Sequence, residues 1–500
     1  MARTSLSALL LIAGVISNCA YSQDSKKTLI ESWVTNYDRS ALFQRQSDSL
    51  FFSRENRGRG STIVIDEEQK FQSVDGFGFA LTGGSAELLM KMSSTARAGV
   101  LKEIFATSDK NIGVSYIRLS IGASDLNSFV FSYNDLKDGE TDYELKKFTL
   151  SQDLNDVIPV MKEILKINPD IKIMGSPWSA PVWMKTNNNI RGGALKKECY
   201  DVYARYFVKY IRAMKEQGIV IDAITVQNEP LNSNNTPSMR WFWTEQAEFI
   251  RDHLGPLFRK EGISAKIILF DHNCDRIDYP LALLNDPLVS DFADGSGFHH
   301  YGGDISAMNY LHIARPDKNL YFTEQMVVEK PGEKTINIAE QVKRLLITTT
   351  RSWSRNVILW NLAADPKNDP HTDNGGCSMC QGALTLDGDV VSRNIAYYTI
   401  AHASKFVRPG SVRIGSTYPG DKTVNLTEDE EQKGIRRTNI TENSQGLPNV
   451  AFRTNDGKIV LIVANDTFSA TSFRIQYRGQ NAGLRLSPGA VGTYVWNVAK

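Results

Sequence analysis

The sequence Ile224-Thr225-Val226-Gln227-Asn228-Glu229-Pro230 and its later counterpart Leu320-Tyr321-Phe322-Thr323-Glu324-Gln325 share one pattern. Each is a short run of residues that favour β-strands, and each run leads into a glutamate. Burying an unpaired carboxylate is costly, so packing alone does not explain a glutamate at the end of a buried strand. The two runs therefore predict a pair of strand-end carboxylates, which is the arrangement that hydrolysis of a glycosidic bond requires.

From Val74 onward, strand-like runs alternate with helical patterns or long loops. Strands are predicted at 76–81, 116–121, 171–177, 223–227, 266–270, 296–299, 319–323 and 356–360. Helices are predicted at 85–105, 154–167, 198–217, 244–260 and 336–350. Eight such units predict an α/β fold, with a parallel sheet closed into a (β/α)8 TIM barrel. Gly76-Phe77-Gly78-Phe79 lacks the third glycine of a dinucleotide-binding loop, which disfavours that class.

Around residue 405 the pattern changes to short strands separated by turns. Strands are expected at 412–414, 423–426, 450–453, 459–463, 472–477 and 493–495, which predicts a β-sandwich side domain. The residues before Val74 are expected to join it, with a hairpin at 61–71. The predicted organisation is a signal peptide at 1–22, an N-terminal segment of the sandwich at 23–73, the catalytic barrel at 74–404 and the sandwich at 405–500.

The charge balance argues for a neutral substrate. Lys+Arg number 57 and Asp+Glu 56, which leaves a net charge of +1. This gives no electrostatic reason to expect nucleic acid or an anionic membrane as a partner. No stretch after the N-terminal one approaches the roughly 18 apolar residues of a membrane-spanning helix. No cofactor is expected, and no metal either, because the adjacent His299 and His300 would point to opposite faces of a strand.

The N-terminal segment has the features of a secretory signal. Arg3 is followed by an apolar run at 9–16 that is too short to span a bilayer, and Ala20-Tyr21-Ser22 has the pattern of a cleavage site. This predicts a protein that is secreted, periplasmic or at the cell surface. A second interpretation makes Cys19 a lipid-modified N-terminus, because the residues before it loosely resemble a lipobox.

Cys377-Ser378-Met379-Cys380 lies in a Gly- and Asp-rich loop. It does not open a helix after a strand, which disfavours a thioredoxin-like role. Neither a second CxxC nor a pair of histidines follows, which disfavours a zinc site. A local disulfide formed in an oxidising compartment is the favoured interpretation.

In the predicted barrel Glu229 ends strand four and Glu324 ends strand seven, so both reach the C-terminal mouth, where barrels carry their active sites. A carboxylate gap of about 5–5.5 Å would indicate a retaining reaction, in which one group is the nucleophile and the other is the acid and then the base. Two unrelated surface glutamates are the alternative. The matched placement of the pair disfavours that alternative.

Other residues near the strand ends support the pair. Arg118 lies in an otherwise apolar strand and needs a carboxylate partner, either Glu324 or another acid such as Asp125. Tyr301 can hydrogen-bond Glu324, and Asn228 can donate to a sugar 2-hydroxyl. Trp178 and Trp360 can each offer a flat face to a pyranose ring. Further sugar contacts are expected from Asp271, His272, His300, Trp183 and Trp241.

Several motifs resemble glycoside hydrolase family 30. They are GSPWSAPVWMKT at 175–186, TVQNEP at 225–230, YFTEQ at 321–325, WNLA at 360–363 and HASKFV at 402–407. The resemblance implies a (β/α)8 barrel with a sandwich built from both chain ends. It also implies Glu229 as acid/base and Glu324 as nucleophile. The first sugar subsite would be lined by Arg118, Trp178, Asn228, Tyr301 and Trp360.

Members of this family include β-1,6-glucanases, glucosylceramidases, xylosidases and glucuronoxylanases. Acid-β-glucosidase relatives carry an aspartate shortly after the first strand, whereas Leu81-Thr82-Gly83-Gly84-Ser85 has no carboxylate. This departure favours a secreted endo-β-1,6-glucanase acting on β-glucan. The alternatives are an exo-acting β-glucosidase or glucosylceramidase-type hydrolase, and a β-xylosidase. A carbohydrate-binding protein on an inactive barrel is disfavoured because both glutamates and Arg118 are present.

Overall fold

The structure is a computed structural model that describes Met1 and residues 28–54, 59–330, 332–418 and 447–498. The interpretations of the N-terminal segment, Cys19 included, and the predicted strand at 423–426 lie outside these residues. Four strands precede the barrel: β1 (Leu29–Thr35), β2 (Gln44–Arg45), β3 (Leu50–Phe51) and β4 (Ser61–Ser73).

Eight parallel strands then form a closed barrel, as the sequence predicted. They are β5 (Gly76–Leu81), β6 (Tyr116–Ser120), β7 (Lys172–Ser176), β8 (Ala223–Thr225), β9 (Lys266–Asn273), β10 (Ala293–His299), β11 (Asn319–Glu324) and β12 (Ser354–Leu359). β12 pairs with β5 and closes the ring. The strands are almost continuously buried, because helices cover the outside of the sheet and side chains fill the inside.

The helices are α1 (Gly83–Lys91), α2 (Ser94–Phe105), α3 (Val157–Ile167), α4 (Tyr200–Glu216), α5 (Trp243–Phe249), α6 (Gly255–Lys260), α7 (Asp278–Asn285), α8 (Pro287–Phe292), α9 (Ala307–Ala314), α10 (Ile338–Gln341), α11 (Thr349–Arg351) and α12 (Ile395–Ser404). π-helical turns at Ile250–Leu254 and Val342–Thr348 join α5 to α6 and α10 to α11. The single helix predicted at 85–105 is two helices, because Ser93 accepts a hydrogen bond from the Ala96 amide and caps the second.

Both chain ends build the side domain, as predicted. After the short strands β13 (Ala363–Ala364), β14 (Leu384–Asp387) and β15 (Val390–Arg393), the chain adds β16 (Val412–Ser416), β17 (Asn449–Arg453), β18 (Lys458–Ala464), β19 (Thr471–Tyr477), β20 (Gln480–Leu486) and β21 (Val491–Asn497). The hydrogen-bonded order is β2-β1-β21-β18-β17-β16-β4-β19-β20, with β3 beside β1. Among the described residues, no helix is both long enough and apolar enough to cross a membrane.

The hairpin predicted at 61–71 is wrong. β4 is one long strand that pairs in parallel with β19 at its start and antiparallel with β16 further on. Glu67, in the middle of β4, is buried and accepts hydrogen bonds from the Tyr477 hydroxyl at 2.8 Å and from Arg478 Nε at 2.6 Å. Partners from the far end of the chain therefore keep this segment extended.

His402 on α12 connects the barrel to the side domain. Its Nε2 lies 2.8 Å from Thr35 Oγ1 on β1, and its Nδ1 lies 2.9 Å from Thr493 Oγ1 on β21. The ring is fully buried, and burial lowers the pKa of His402 to about 3. The interface therefore holds a neutral imidazole.

We expect this imidazole to make stability depend on pH. An unfolded histidine titrates near pH 6.5. The contribution of neutral His402 to the free energy of unfolding is therefore complete above that pH, and it is lost as the pH falls from 6.5 towards 3. At pH 5 the loss is about 2 kcal/mol. The variant His402→Gln should be less stable than wild type at pH 7 but lose less stability between pH 7 and pH 5. Urea unfolding at both pH values measures this, and equal losses in the two proteins would contradict it.

Candidate active site

Glu229 and Glu324 meet at the C-terminal mouth of the barrel. Glu324 is the last residue of β11, and Glu229 follows the end of β8 by four residues. The Glu229 backbone is left-handed, with φ of 46°, and its amide donates to the Asp271 carbonyl at 3.0 Å. A left-handed glutamate is a strained conformation, and here a neighbouring strand end holds it in place.

One imidazole lies between the two carboxylates. His299 Nδ1 is 3.2 Å from Glu229 Oε1 and 3.7 Å from Glu324 Oε1. The two carboxylates therefore reach the same point of the barrel mouth, where one glycosidic bond can lie between them.

Arg118 is fully buried and donates to four side chains, one of them Ser176, whose Oγ accepts from Nε at 3.0 Å. Its Nη1 donates to Glu324 Oε2 at 2.6 Å, and its Nη2 donates to Asp271 Oδ2 at 2.8 Å and to Asn228 Oδ1 at 2.7 Å. The Tyr301 hydroxyl donates to Glu324 Oε1 at 3.1 Å. Both oxygens of Glu324 are thus fixed by Arg118 and Tyr301, the partners that the sequence suggested. Arg118 also forms an ion pair with a second acid, Asp271.

The carboxylates and the imidazole titrate as a coupled set. Burial works against a charged His299, but Glu324, Asp271 and Glu229 outweigh it and raise the pKa of His299 to about 9. Burial also favours neutral Glu229, yet contacts with His272 and His299 hold its pKa below the ordinary value. Burial raises the pKa of Glu324, against the opposing charges of His299 and Arg118. At neutral pH the central proton therefore rests on His299, beside both carboxylates.

A cavity of about 240 Å³ opens beside the two glutamates. The rings of Trp178 and Trp360 line it and stack on each other, with centroids 5.2 Å apart. Cys377 and Cys380 form the predicted disulfide, and both lie in the wall of the cavity. The cavity is smaller than the roughly 300–1,000 Å³ pockets that enclose drug-sized ligands, which suits one sugar unit with the remainder of the ligand outside.

Asp125 adds a carboxyl group that the sequence did not place in the cavity. It follows β6 and lines the cavity, and burial, with the nearby charges of Glu324 and Glu229, raises the pKa of Asp125 to about 8. The loop fits because Gly83 and Gly84 have no side chains. A Cβ on Gly83 would lie 1.9 Å from Asn127 Nδ2, and the Gly84 amide donates to the Leu126 carbonyl.

The loop after β8 and the loop after β13 contact each other at the mouth of the barrel. Thr236 Oγ1 donates to the Asn374 carbonyl at 2.6 Å, and Thr372 Oγ1 donates to the Thr236 carbonyl at 2.5 Å. The Thr372 amide also donates to the Asp125 carbonyl at 2.9 Å. These bonds form a wall along one side of the mouth. Asn232, in the loop after β8, donates from Nδ2 to Glu229 Oε2 at 2.7 Å.

Two residues predicted to touch the sugar do not face it. Asp271 is fully buried, with Oδ1 accepting from Thr323 Oγ1 and facing His299 Nε2 at 3.0 Å, while Oδ2 accepts from Arg118. It positions its neighbours and has no face left for a sugar hydroxyl. His300 lies outside the cavity, with Nδ1 3.5 Å from Arg344 Nη1. β10 ends at His299, and alternation along the strand sends the next side chain to the other face.

Of the three other residues expected to contact the sugar, two lie away from the cavity and one lies near Glu229. Trp183 donates from Nε1 to Asn134 and is buried, and Trp241 packs in an aromatic cluster with Phe249, so neither reaches the cavity. His272 lies close to Glu229, with 3.7 Å between Nδ1 and Oε1. The sequence prediction missed cavity contacts of Asn232, Asn235, Asn273 and Met326. Asn273 ends β9 and Met326 follows β11 by two residues, so a strand-end position is their sequence signal, whereas Asn232 and Asn235 lie well inside the loop after β8.

The chain matches two family models. One is described as the glycosyl hydrolase family 30 TIM-barrel domain and matches residues 74–407. The other is described as the glycosyl hydrolase family 30 beta sandwich domain and matches residues 433–494. Together they cover the barrel and much of the C-terminal part of the side domain.

Individual relatives agree with this family. An endo-1,6-β-D-glucanase of Neurospora crassa is 32% identical over 375 residues, 72% of this chain and 76% of the relative. The lysosomal acid glucosylceramidase of Mus musculus is 26% identical over 491 residues, 92% of this chain and 88% of the relative. Among solved structures, an endo-β-1,6-glucanase superposes with a TM-score of 0.82 at 30% identity, covering 94% of this chain and all of that one.

Proposed function

The chain belongs to glycoside hydrolase family 30, and on that premise we propose that it is a retaining endo-β-1,6-glucanase. The observation that carries the chemistry is the pair Glu229 and Glu324, which meet at one imidazole beside a sugar-sized cavity. The proposed linkage is supported by the endo-1,6-β-glucanases among its relatives, at 32% and 30% identity.

In the first step Glu324 attacks the anomeric carbon, and the bond to the leaving oxygen breaks as Glu229 delivers a proton to that oxygen. Arg118 and Tyr301 hold the attacking carboxylate at both oxygens, which fixes its direction. In the second step Glu229 takes a proton from water, the water attacks the same carbon, and the ester to Glu324 breaks. The configuration is inverted twice and therefore retained.

The Glu229–His299 pair supplies the proton. In the free site the proton rests on His299, and Nδ1 is 3.2 Å from Glu229 Oε1, so transfer along this contact protonates Glu229 as the leaving oxygen arrives. Asp271 accepts from the opposite ring nitrogen at 3.0 Å and fixes the ring orientation. His299 is thus a positioning residue for the acid.

The cavity supplies the first sugar subsite. Trp178 and Trp360 line it with apolar surface. Asn228 accepts from Arg118, which also holds the nucleophile, and its amide group is proposed to meet the sugar 2-hydroxyl. Asp125, whose pKa is about 8, is protonated at neutral pH and can both donate to and accept from sugar hydroxyls. It provides the carboxyl group that the stretch after β5 lacks.

The protein is proposed to act outside the cytoplasm. The sequence at 1–22 has the features of a secretory signal. The Cys377–Cys380 disulfide fits an oxidising compartment. Cleavage before Gln23 and lipidation at Cys19 are the two proposed routes of processing.

Digestion of pustulan, a linear β-1,6-glucan, tests the proposal directly. The purified enzyme is expected to release mixed oligosaccharides from pustulan early in the reaction and to leave laminarin, xylan and a glucosyl lipid intact. Glucose as the sole early product would replace the endo assignment by an exo one. Activity on the glucosyl lipid alone would favour the glucosylceramidase function that the mouse relative carries. Activity on xylan alone would indicate a xylan-directed enzyme.

A further inference from the structure

We propose that Glu229, His272 and His299 form a binding site for a divalent transition-metal ion such as Zn²⁺, and that an ion held there blocks catalysis. All three residues are buried, and one ligand atom from each lies within 4.8 Å of the others. Two histidines and one glutamate are a ligand set that zinc uses in enzymes, with water in the fourth position.

Two of the three distances between ligand atoms suit tetrahedral coordination, and all three are within 4.8 Å. With metal bonds of about 2.0–2.2 Å, tetrahedral geometry places neighbouring ligand atoms roughly 3.3–3.6 Å apart. Glu229 Oε1 lies 3.2 Å from His299 Nδ1 and 3.7 Å from His272 Nδ1. The two imidazoles are nearly perpendicular, with 87° between their planes, so their nitrogens converge on the carboxylate from different directions. Small side-chain rotations would complete the site.

Each histidine has a feature typical of a metal ligand. His272 Nδ1 is buried and has no hydrogen-bond partner in the part of the chain that the structure describes. His299 contacts Asp271 through its other ring nitrogen, Nε2, at 3.0 Å. Carboxylates in that position orient zinc-binding histidines and raise their basicity. His299 Nδ1 is therefore directed at the site by a contact that a metal would leave intact.

The local charge also favours a dication. Asp271 and Glu324 share one guanidinium, that of Arg118, and the third carboxylate, Glu229, lies beside His299. Binding requires His299 to give up its proton, and the incoming ion replaces that charge. Glu229 lines the open cavity, which gives the ion a route from solvent. An ion on Glu229 would take the oxygen that accepts and delivers the proton in both steps of the reaction.

Isothermal titration of the metal-stripped full chain with ZnCl₂ tests the site. We expect His272→Gln to weaken binding about tenfold or more, since it removes one of three ligands. The matched control is His253→Gln, which removes a surface imidazole that also contacts a carboxylate, Asp201 at 2.7 Å. That variant should bind Zn²⁺ as the wild type does. No binding by the wild type, or equal affinity in His272→Gln, would overturn the proposal.

Zn²⁺ in crystals of the wild-type protein gives a test that needs no variant. The anomalous signal is expected between Glu229, His272 and His299, and a signal confined to other positions would overturn the proposal. Zn²⁺ should also abolish hydrolysis in proportion to occupancy, and EDTA should restore it; full activity of the saturated enzyme would overturn the inhibitory role. The binding measurements do not depend on the glycan cleaved, so they stand apart from the β-1,6-glucanase assignment.

Discussion

Replacement of Glu324 by glutamine is expected to lower turnover on β-1,6-glucan by about 10⁴-fold or more, on the scale seen when a covalent nucleophile is removed. The amide cannot form the glycosyl ester, while its size remains that of the acid, its oxygen can accept from Arg118, and its nitrogen can donate to the Tyr301 hydroxyl. The loss should therefore appear in kcat with little change in stability. Initial rates of reducing-end release, together with thermal unfolding, measure both quantities.

The matched control is Glu329→Gln. Glu329 is also largely buried and paired with an arginine, Arg39 at 2.9 Å, but it does not line the cavity. This variant should keep wild-type turnover. A Glu324→Gln enzyme that retains more than a few per cent of wild-type turnover would exclude Glu324 as the nucleophile.

Replacement of Glu229 by glutamine has the second largest expected effect. General acid–base groups contribute about 10²–10⁴-fold, so hydrolysis of glucan should slow by that factor. An aryl glucoside with a good leaving group needs no proton in the first step, so that step should stay fast and the glycosyl-enzyme should accumulate. Stopped-flow absorbance should therefore show a burst of released phenol followed by slow steady-state turnover.

Added azide separates this role from a structural one. Azide attacks the glycosyl-enzyme without needing a base, so it should accelerate the slow phase of Glu229→Gln and yield the β-glycosyl azide. The wild type, which has its base, should gain little. Equal losses on glucan and on the aryl glucoside, with no response to azide, would assign Glu229 to another role.

The barrel could be predicted from the sequence because its strands are buried on both faces. A buried parallel strand is a short, nearly continuous apolar run, and this signal is local. The run that ends at Glu324 matches β11 (Asn319–Glu324). The glutamates were found for the same reason, since a charged residue at the end of such a run stands out.

Side-chain direction limited the prediction of the site. Asp271 and His300 have residue types suited to sugar contact, but Asp271 is enclosed by Arg118, His299 and Thr323, and His300 points to the other face. The prediction chose His300 where the structure places His299. That difference depends on where β10 ends, and single-residue boundaries are the least certain part of a sequence-based assignment.

Contacts between segments far apart in the sequence limited the prediction of the Asp125 loop and of β4. Asp125 enters the cavity because Gly83 and Gly84 leave room for its loop, a relation between two segments that no local pattern records. β4 stays extended at Glu67 because residues more than 400 positions away supply its partners. Local turn propensity favoured a hairpin there, and tertiary pairing outweighed it.

Covalent trapping tests the central claim, that Glu324 carries the sugar between two displacements. A 2-deoxy-2-fluoro-β-glucoside with an activated leaving group slows both steps, but its good leaving group lets the first proceed, so the intermediate should accumulate. Mass spectrometry of the digested enzyme should find one sugar on the peptide that contains Glu324. A sugar on the Glu229 peptide, or hydrolysis that releases the α-anomer first, would contradict the account.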